Sequence, residues 1–493
     1  MKSLGIDIGS SSVKVSLLDI SSGECVASST NPKQEMPIDA LQSGWAEQDP
    51  DMWWQYVCEG IRDIQTKWTT SDVVSIGITY QMHGLVVVDK NGCPLRKSII
   101  WCDSRAVEIG ADAFEKLGKE TCLDHLLNSP GNFTASKLAW VKQNEPSIFA
   151  QIHKVMLPGD YIAFKLSGNI STTESGLSEA ILWDFKVNER AALLMDYYEL
   201  SQDLFPLSHP SIGVQEFTNQ ATQQLLGIKE GTPIAYRAGD QPNNAFSLNV
   251  MDSGEIAATG GTSGVVYGVI NTPKADTLSR VNPFLHVNHT HDNPRYGVLL
   301  CINGTGIANS WLRRNVLPDV NYETMNELAQ KVPVGSDGVL VLPFGNGAER
   351  MLENRYTKTV ISNIDFNIHN SNHLIRATQE GIAFSFRYGI DIMKEMGLRP
   401  NVIRAGMANL FLSPLFRQTL STVCDARIEL FNTDGALGAA RGAALGAGYY
   451  KTREEAFRSL KQLEFVEPEP HNRAILEQGY QAWKKQLELQ LNK

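Results

Sequence analysis

The sequence predicts a mixed α/β fold of two domains, and three features carry that expectation. The chain has 493 residues, more than one hydrophobic core ordinarily organises, so two domains with a cleft between them are expected. Residues 3–30 alternate apolar with small or polar positions around two turn clusters, Gly9-Ser10-Ser11-Ser12 and Ser21-Ser22-Gly23. That is the pattern of a three-stranded antiparallel meander. A partial echo comes half a chain later: Glu255–Ala258, then Gly260-Gly261-Thr262-Ser263-Gly264, then Val265–Ile270. Strand, turn and strand recur there in the same order, consistent with a duplicated unit.

Between the two hairpins, strand-like runs at Val73–Thr79, Leu85–Asp89 and Ser98–Trp101 alternate with helical stretches at Asp51–Lys67 and Ala106–Leu117, as an α/β architecture requires. A strand-like Pro233–Tyr236 precedes Asp240-Gln241-Pro242-Asn243-Asn244, residues suited to a helix start with proline in its first turn. The boundary is therefore expected at 249/250, giving domains of residues 1–249 and 250–493. In the tail, 472–491, Leu476, Tyr480, Trp483, Leu487 and Leu491 recur at three- or four-residue spacing, an amphipathic helix expected to dock back onto the body.

Composition excludes several classes. Apolar residues make up 42% and charged residues 20%, ordinary globular usage with no sign of a long disordered region. Acidic residues outnumber basic ones, for a formal charge of −10, and no Lys/Arg-rich block occurs, so nucleic acid is not expected as a partner. No apolar run approaches a membrane span, and the N-terminal residues Met-Lys-Ser-Leu-Gly-Ile-Asp lack a signal-peptide core. Seven scattered cysteines form no C-x-x-C pair, which fits a reducing cytoplasm.

The candidate chemistry lies in the turns. In Asp7-Ile8-Gly9-Ser10-Ser11-Ser12-Val13-Lys14, backbone N–H groups and hydroxyls can surround a phosphate while Asp7 holds a metal ion; an ordinary hairpin uses the same residues. It is not a dinucleotide fingerprint, because the second and third glycines are missing and a strand follows. Gly260 to Gly264 offers a matching turn with the hydroxyls of Thr262 and Ser263, and a triphosphate held between two domains needs one such hairpin from each. Asp240, at a helix start, reads either as a cap or as a carboxylate that accepts a proton from a substrate hydroxyl. Tyr80-Gln81-Met82-His83-Gly84 and Trp101-Cys102-Asp103-Ser104-Arg105 both follow strand-like runs, where α/β sheets collect ligands. His83 could contact a polyol there or be a structural residue, and Asp103 and Arg105 could serve a ligand or pair with each other. His286, His289 and His291 sit among Asn, Thr and Asp; a solvated loop is expected there rather than a metal site.

Taken together these segments resemble the FGGY family of carbohydrate kinases, in order and over most of the chain. The resemblance rests on Gly5 through Lys14, on Ala46-Glu47-Gln48-Asp49-Pro50 with Trp53-Trp54, and on Gln81-Met82-His83-Gly84. It continues through Pro130-Gly131-Asn132-Phe133-Thr134 with Lys137 and Leu157-Pro158-Gly159-Asp160-Tyr161, then Gly261-Thr262-Ser263-Gly264 and Gly435 through Ala440. It implies two ribonuclease-H-like domains, of the kind found in actin, hexokinase and the Hsp70 ATPase, around a central cleft. It further implies ATP-dependent phosphorylation of a small sugar, D-xylulose foremost, with ribulose, gluconate and glycerol as alternatives. Asp240 matches the family's catalytic base, Met82 and His83 its sugar-contacting loop, and Asp7 its Mg²⁺-associated carboxylate. Gln241 and Asp103 are expected on the sugar side; Gly9, Ser10, Ser11, Lys14, Gly261, Thr262 and Ser263 are expected at the phosphates. Homodimers are common in the family.

The chain also departs from the family's patterns. The family's kinases of xylulose typically place Asn after the catalytic Asp and its kinases of glycerol place Gln, and this chain has Gln241. The adenosine motif becomes Ala405-Gly406-Met407-Ala408-Asn409-Leu410, with Gly406 and Asn409 expected at the nucleotide, and the Gly-Glu-Arg-Thr-Pro loop becomes Gly347-Ala348-Glu349-Arg350-Met351. A non-catalytic, nucleotide-dependent regulatory protein is the alternative from another class; the presence of both Asp7 and Asp240 argues against it.

Overall fold

A computed structural model describes residues 1–493, the side chain of Glu349 excepted. Two large sheets organise it. The first uses β1 (Lys2–Ile8), β2 (Val13–Asp19), β3 (Cys25–Asn31), β4 (Val73–Tyr80), β5 (Ile212–Phe217) and β6 (Pro233–Gly239), in the order β5-β6-β4-β1-β2-β3. The second uses β7 (Glu255–Gly260), β8 (Gly264–Ile270), β9 (Asn282–Leu285), β10 (Tyr296–Ile302), β11 (Val402–Gly406), β12 (Arg427–Phe431) and β13 (Gln462–Val466), in the order β9-β10-β8-β7-β11-β12-β13. Each sheet holds an antiparallel meander, two strands parallel to its first strand and an antiparallel edge. The ribonuclease-H-like fold class is thereby met twice, and the two hairpins at residues 8–13 and 260–264 occupy equivalent places.

The helices used below are α1 (Pro50–Gln65), α2 (Thr134–Asn144), α3 (Pro158–Ser167), α4 (Glu174–Glu179), α5 (Asp240–Ser247), α6 (Gly306–Asn315), α7 (Ser371–Glu395), α8 (Pro414–Cys424), α9 (Gly435–Gly446) and α10 (Arg473–Leu491). Local sequence explains their starts. Asp49 caps α1 by accepting the Asp51 N–H at 2.9 Å, with Pro50 in the first turn, the preferred chemistry at both positions. The stripe Trp53, Val57, Ile61 and Ile64 is buried against β2 and β3. In contrast, the runs expected at Leu85–Asp89 and Ser98–Trp101 shorten to Val86–Val88 and Ser98–Ile99, and they pair in two-stranded sheets of their own.

The alternation in β1 explains how the two halves join. Leu4, Ile6 and Ile8 are fully buried on the α1 side of the sheet, while Ser3, Gly5 and Asp7 lie under α9. The Ser3 hydroxyl donates to the Ala440 carbonyl at 2.7 Å. Gly5 pairs in register with Gly77 on β4, and a Cβ on either would stand 1.8 or 2.0 Å from the carbonyl oxygen of Ala436 or Ala439. Helix α9, which follows β12 of the second sheet, therefore rests directly on the backbone of the first, with Ala436, Ala439, Ala440 and Ala443 buried. Only glycine permits that approach.

Helix α10 buries Leu476, Tyr480, Trp483 and Leu487, and the Trp483 indole N–H donates to the Val341 carbonyl at 2.9 Å. One expectation is corrected here: His286 is not in a solvated loop but is buried. The Tyr267 hydroxyl lies 3.0 Å from its Nδ1 and the Val250 carbonyl 3.0 Å from its Nε2. Since a carbonyl only accepts, Nε2 carries the proton and Nδ1 takes the Tyr267 O–H. Burial pulls the ring's pKa to about 3, so it stays neutral. The Asn and Asp neighbours that suggested solvent belong to the following turn. No helix among the described residues is long and apolar enough to cross a membrane.

Gly77→Val places a branched side chain against the α9 backbone, which cannot yield as a side chain could. The expected loss is roughly 2–4 kcal/mol of stability or failure to accumulate as folded protein, read by thermal and urea unfolding. A wild-type melting curve would contradict this seating of α9.

Candidate active site

Three parallel strands, β1, β4 and β6, end side by side, with Ile8 opposite Tyr80 and Tyr80 opposite Gly239. Each leads straight into a segment singled out in the sequence: the turn at residues 9–12, the loop Gln81–Gly84, and Asp240. Ligands collect at strand carboxyl ends of this kind. Asp240 is the first residue of α5, Gly239 is the N-cap, and no side chain caps the helix; the Asp240 carboxylate is therefore not spent as a cap. Its Oδ2 accepts the Gln241 amide N–H at 3.2 Å, while Gln241 Oε1 is a buried acceptor without a protein partner.

Negative charge gathers around Asp7. Burial, then the carboxylates of Asp240 and Asp434, push the Asp7 carboxyl up to about 7 against the pull of the Lys14 ammonium. Burial raises Asp240 to about 6, while its bonds to Gln241 act in the other direction. Lys14, expected at the phosphates, forms an ion pair with Asp434 at 2.7 Å. Asp434 also caps α9 by accepting the Leu437 N–H at 2.9 Å. A Cβ on Gly435 would stand 2.2 Å from Asp7 Oδ2, and Asn243 on α5 donates to the Gly435 carbonyl at 3.0 Å. The N-terminus of α9 and its partial positive charge are thus set directly against Asp7.

The Gln81–Gly84 loop is held from several sides. His83 is half-buried in a left-handed backbone conformation, φ 62°. Its Nδ1 lies 2.9 Å from the Glu179 carbonyl, so the proton sits on Nδ1 and Nε2 presents a lone pair. Burial, with the Lys137 ammonium nearby, lowers its pKa to about 3, which keeps the ring neutral. Phe133 packs edge-on at 4.8 Å and Phe284, from β9 of the second sheet, at 5.6 Å. Met82 and Glu179 both press on Gly239, just before Asp240. Burial, with Asp240 adding to it, raises Glu179 well above the usual carboxyl range. The segment at Ala46–Pro50 acquires a role here: buried Gln48 accepts the Gln81 amide N–H at 3.0 Å and the Trp53 indole N–H at 3.2 Å, and donates to the Ser10 carbonyl at 2.7 Å. The Gln81–Gly84 loop and the first turn are braced through one amide.

The two Gly/Ser/Thr turns share a useful property. Gly9 N–H is used within its own turn, reaching the Ser12 carbonyl at 3.0 Å. Among the described residues, the N–H groups of Ser10, Ser11 and Ser12 and of Gly261, Thr262 and Ser263 have no protein acceptor, and Ser11, Thr262 and Ser263 are exposed. Such clusters of free N–H groups suit an anion. The second turn is fixed from behind, because Gly306 and Ile307 at the start of α6 donate to the Gly261 and Thr262 carbonyls at 3.0 and 3.1 Å. Asn409, exposed with φ 54°, lies beside this turn, its amide nitrogen 3.9 Å from where a Gly261 Cβ would be. A Cβ on Gly406, at the end of β11, would meet only open space. The Arg350 guanidinium, from the short 3₁₀ turn Glu349–Leu352, stacks at 5.0 Å over Phe133 and bonds Asn282 at 2.7 Å; the side chain of Glu349 beside it lies outside the described residues.

Asp103 is a correction. Expected on the sugar side, it is fully buried. Its carboxylate accepts the Ala46 N–H at 2.6 Å and both the main chain and guanidinium of Arg105, so no oxygen is left to face a ligand. Arg105 in turn stacks on Trp45 at 3.7 Å and bonds Glu47; the unit props up the loop. Asp434, Glu179 and Lys137 are residues at the site to which the sequence assigned no role. Asp434 carried the cap signal of an Asp before a Gly/Ala helix. Glu179 carried no local signal and Lys137 only its place in a motif, because their partner His83 lies 96 and 54 positions away.

A cleft that gathers carboxylates and two donor-rich turns at the strand ends of two repeated sheets has the layout of a phosphotransferase for a small hydroxylated substrate. The chain belongs to the FGGY family of carbohydrate kinases: residues 3–247 match the model of its N-terminal domain and residues 256–450 that of its C-terminal domain. It is therefore a sugar kinase, for which ATP is the phosphate donor. Similar curated proteins include xylulose kinase of Haemophilus influenzae, 31% identical with 90% of both chains covered, and xylulose kinase of Bacillus subtilis, 28% identical over 92% of this chain and 89% of the relative. Solved structures sharing the fold include xylulose kinase from Rhodospirillum rubrum, with a TM-score of 0.89 and 23% identity over the whole of both chains. Gluconate kinase from Lactobacillus acidophilus, with a TM-score of 0.90, is 22% identical over 99% of this chain and 98% of that one. Glycerol kinase of Plasmodium falciparum with ADP, with a TM-score of 0.87, has the same identity and coverage.

The raised Asp7 pKa has a consequence for stability. The folded chain binds this proton more tightly than the unfolded chain does, so stability declines as pH rises from about 4 to about 7 and stays lower above that. Asp7→Asn in the ligand-free protein is expected to raise Tm by ~1–3 °C at pH 8, the gain shrinking as the pH is lowered through this window, while sugar-kinase activity falls. Thermal melts at pH 5 and 8 check this; an unchanged or lower Tm at pH 8 would contradict the charge crowding.

Proposed function

We propose that this kinase phosphorylates D-xylulose to D-xylulose 5-phosphate, with Asp240 as general base. The observation that carries the reading is the placement of Asp240: first residue of α5, unspent as a cap and half-buried, with a pKa of about 6. A base poised near the working pH is what proton transfer from a hydroxyl asks for. Xylulose is favoured by the relatives, whose names are xylulose kinases across nearly the whole chain.

In this reading the sugar lies against Met82 and His83, with a hydroxyl donating to His83 Nε2 and another to the unpartnered Gln241 Oε1. Asp240 takes the proton of the terminal hydroxyl. The hydroxyl oxygen bonds to the γ-phosphorus in line, and the bond from that phosphorus to the β–γ bridging oxygen breaks, releasing ADP. Residues 1–249 bind the sugar. Residues 250–493 bind the nucleotide through Gly261, Thr262, Ser263, Gly406 and Asn409, with Ser10 and Ser11 donating to the phosphates from the other side; Gly9, expected among these donors, instead closes the turn by giving its N–H to the Ser12 carbonyl. Catalysis then rests on positioning and charge stabilisation.

Mg²⁺ fits this site. Crowded negative charge around Asp7 is what a divalent cation relieves, and Asp7, with Asp434 near it, would hold one. One or two carboxylates with water and phosphate oxygens are the usual ligands of Mg²⁺. When bound it neutralises phosphate charge. The cytoplasm is the compartment we propose, where the seven thiols stay reduced.

Mg·ATP turnover, coupled to ADP detection, across D-xylulose, D- and L-ribulose, gluconate and glycerol tests the substrate. Highest kcat/KM with D-xylulose is expected; preference for glycerol would instead make Gln241 the deciding residue, and no sugar-dependent turnover would sink the reading. Asp240→Asn is expected to lower kcat at least ~100-fold with little loss of stability. In the wild type, kcat/KM is expected to fall as pH drops below about 6, rather than near the ordinary carboxylate value of about 4. A pH–rate profile flat down to pH 5 would rule Asp240 out as the base.

A further inference from the structure

Lys137 places its amino group where the fold gives it no solvent. It sits in the first turns of α2, 0% exposed, among the buried neighbours Thr134, Ala135, Ser136, Leu138 and Ala139. Its ammonium donates to two main-chain carbonyls, His83 at 2.8 Å and Ile100 at 2.9 Å. No carboxylate forms a direct ion pair with it among the described residues; the carboxylate of Asp103 acts on it only at longer range, and burial pulls its pKa to about 7. A buried ammonium costs several kcal/mol, and an apolar residue of similar volume would fill the same space without that cost. The compensation the structure supplies is two carbonyls, and both belong to loops at the site.

The first carbonyl is that of the residue with the least comfortable backbone in the sugar-side loop. A non-glycine residue at φ 62° is disfavoured unless its surroundings hold it. His83 is held at three points: the ring by the Glu179 carbonyl through Nδ1, the carbonyl by Lys137, and the following Gly84 by close packing on Pro158. The second carbonyl, Ile100, precedes Trp101. Trp101 is 52% exposed and its indole N–H lies 3.5 Å from Ser10 Oγ in the first phosphate turn. One ammonium therefore ties the end of the β4 loop to the end of the Ser98–Ile99 strand. Because Lys137 itself is sealed from the cleft, it can act on a bound sugar only through these two loops.

Resting on the reading of His83 as a sugar contact, we propose that Lys137 is a positioning residue for sugar recognition, its two carbonyl bonds fixing the His83 backbone so that Nε2 faces the substrate. The tie to the phosphate turn is indirect, running from the Ile100 carbonyl through Trp101 to a 3.5 Å contact with Ser10 Oγ, whereas the tie to the sugar contact is a bond to His83 itself. Losing Lys137 should thus affect the sugar far more than ATP.

The test compares Lys137→Met with wild type in steady-state kinetics, alone and in combination with His83→Ala. Lys137→Met is expected to raise the sugar KM by ~10- to 100-fold, the range of losing charge-assisted bonds to one group, with the KM for ATP changed less than about twofold. In the His83→Ala background the same substitution should add little, because the group it positions is gone. Equal effects on both KM values, or full additivity with His83→Ala, would reduce Lys137 to general packing and overturn the proposal. Should Lys137→Met fail to fold in thermal melts, the comparison passes to Lys137→Arg, which keeps the charge but not the two-carbonyl geometry; a loss confined to the sugar KM supports the proposal and a wild-type KM overturns it. If His83→Ala itself leaves the sugar KM unchanged, the reading of the sugar site has failed; if His83→Ala raises it and Lys137→Met does not, only this proposal has.

Discussion

The seat of α9 on the glycines of β1 and β4 governs the rest of the structure. Helix α9 comes from the second half of the chain, yet its alanine face rests on the backbone of the first sheet, at a distance set by Gly5 and Gly77. Because β1 alternates Ser3-Leu4-Gly5-Ile6-Asp7-Ile8, the face that accepts α9 ends in Asp7, at the point where α9 begins. Gly435 brings the helix N-terminus onto that carboxylate, and Asp434, its cap, brings Lys14 with it. One packing decision thus joins the two halves and builds the charged floor of the cleft.

Around that floor the protein keeps several groups away from their ordinary protonation balance. Asp7, Asp240 and Glu179 are raised, and His83 is held neutral. Each shift is led by burial, and each sits on one of the three strand ends that open into the cleft or on a residue packed against them. Groups perturbed together in a cleft mark functional chemistry more strongly than the same shifts scattered through a core. The buried His286 shows the contrast: it is equally neutral, but both its nitrogens are matched by Tyr267 and Val250, which leaves neither for a ligand.

How much could be read without coordinates depended on range. Turns and helix starts are local events, so the hairpins at residues 9–12 and 260–264, Asp49 with Pro50, and the Asp240 helix start were legible from residue type and spacing. Asp103 was misread because its sequence context, after a strand-like run, is that of a ligand contact, whereas its fate was decided by Arg105 and the Ala46 N–H, which spend the whole carboxylate. Gln48 and Lys137 were visible as parts of motifs but not as parts of a mechanism. Their partners, Gln81 and Ser10 for one and His83 and Ile100 for the other, are remote in the chain.

By itself, then, the sequence determined the class of fold, the family, and the identity of the carboxylate at the start of α5, since each rests on short-range patterns of hydrophobic alternation, turn chemistry and motif order. Tertiary structure decided which carboxylates share a site, which lysine meets a carboxylate and which meets carbonyls, and where protons reside. Those outcomes depend on desolvation and on distances between groups far apart in the chain, and neither exists until the two sheets are closed over one another by α9.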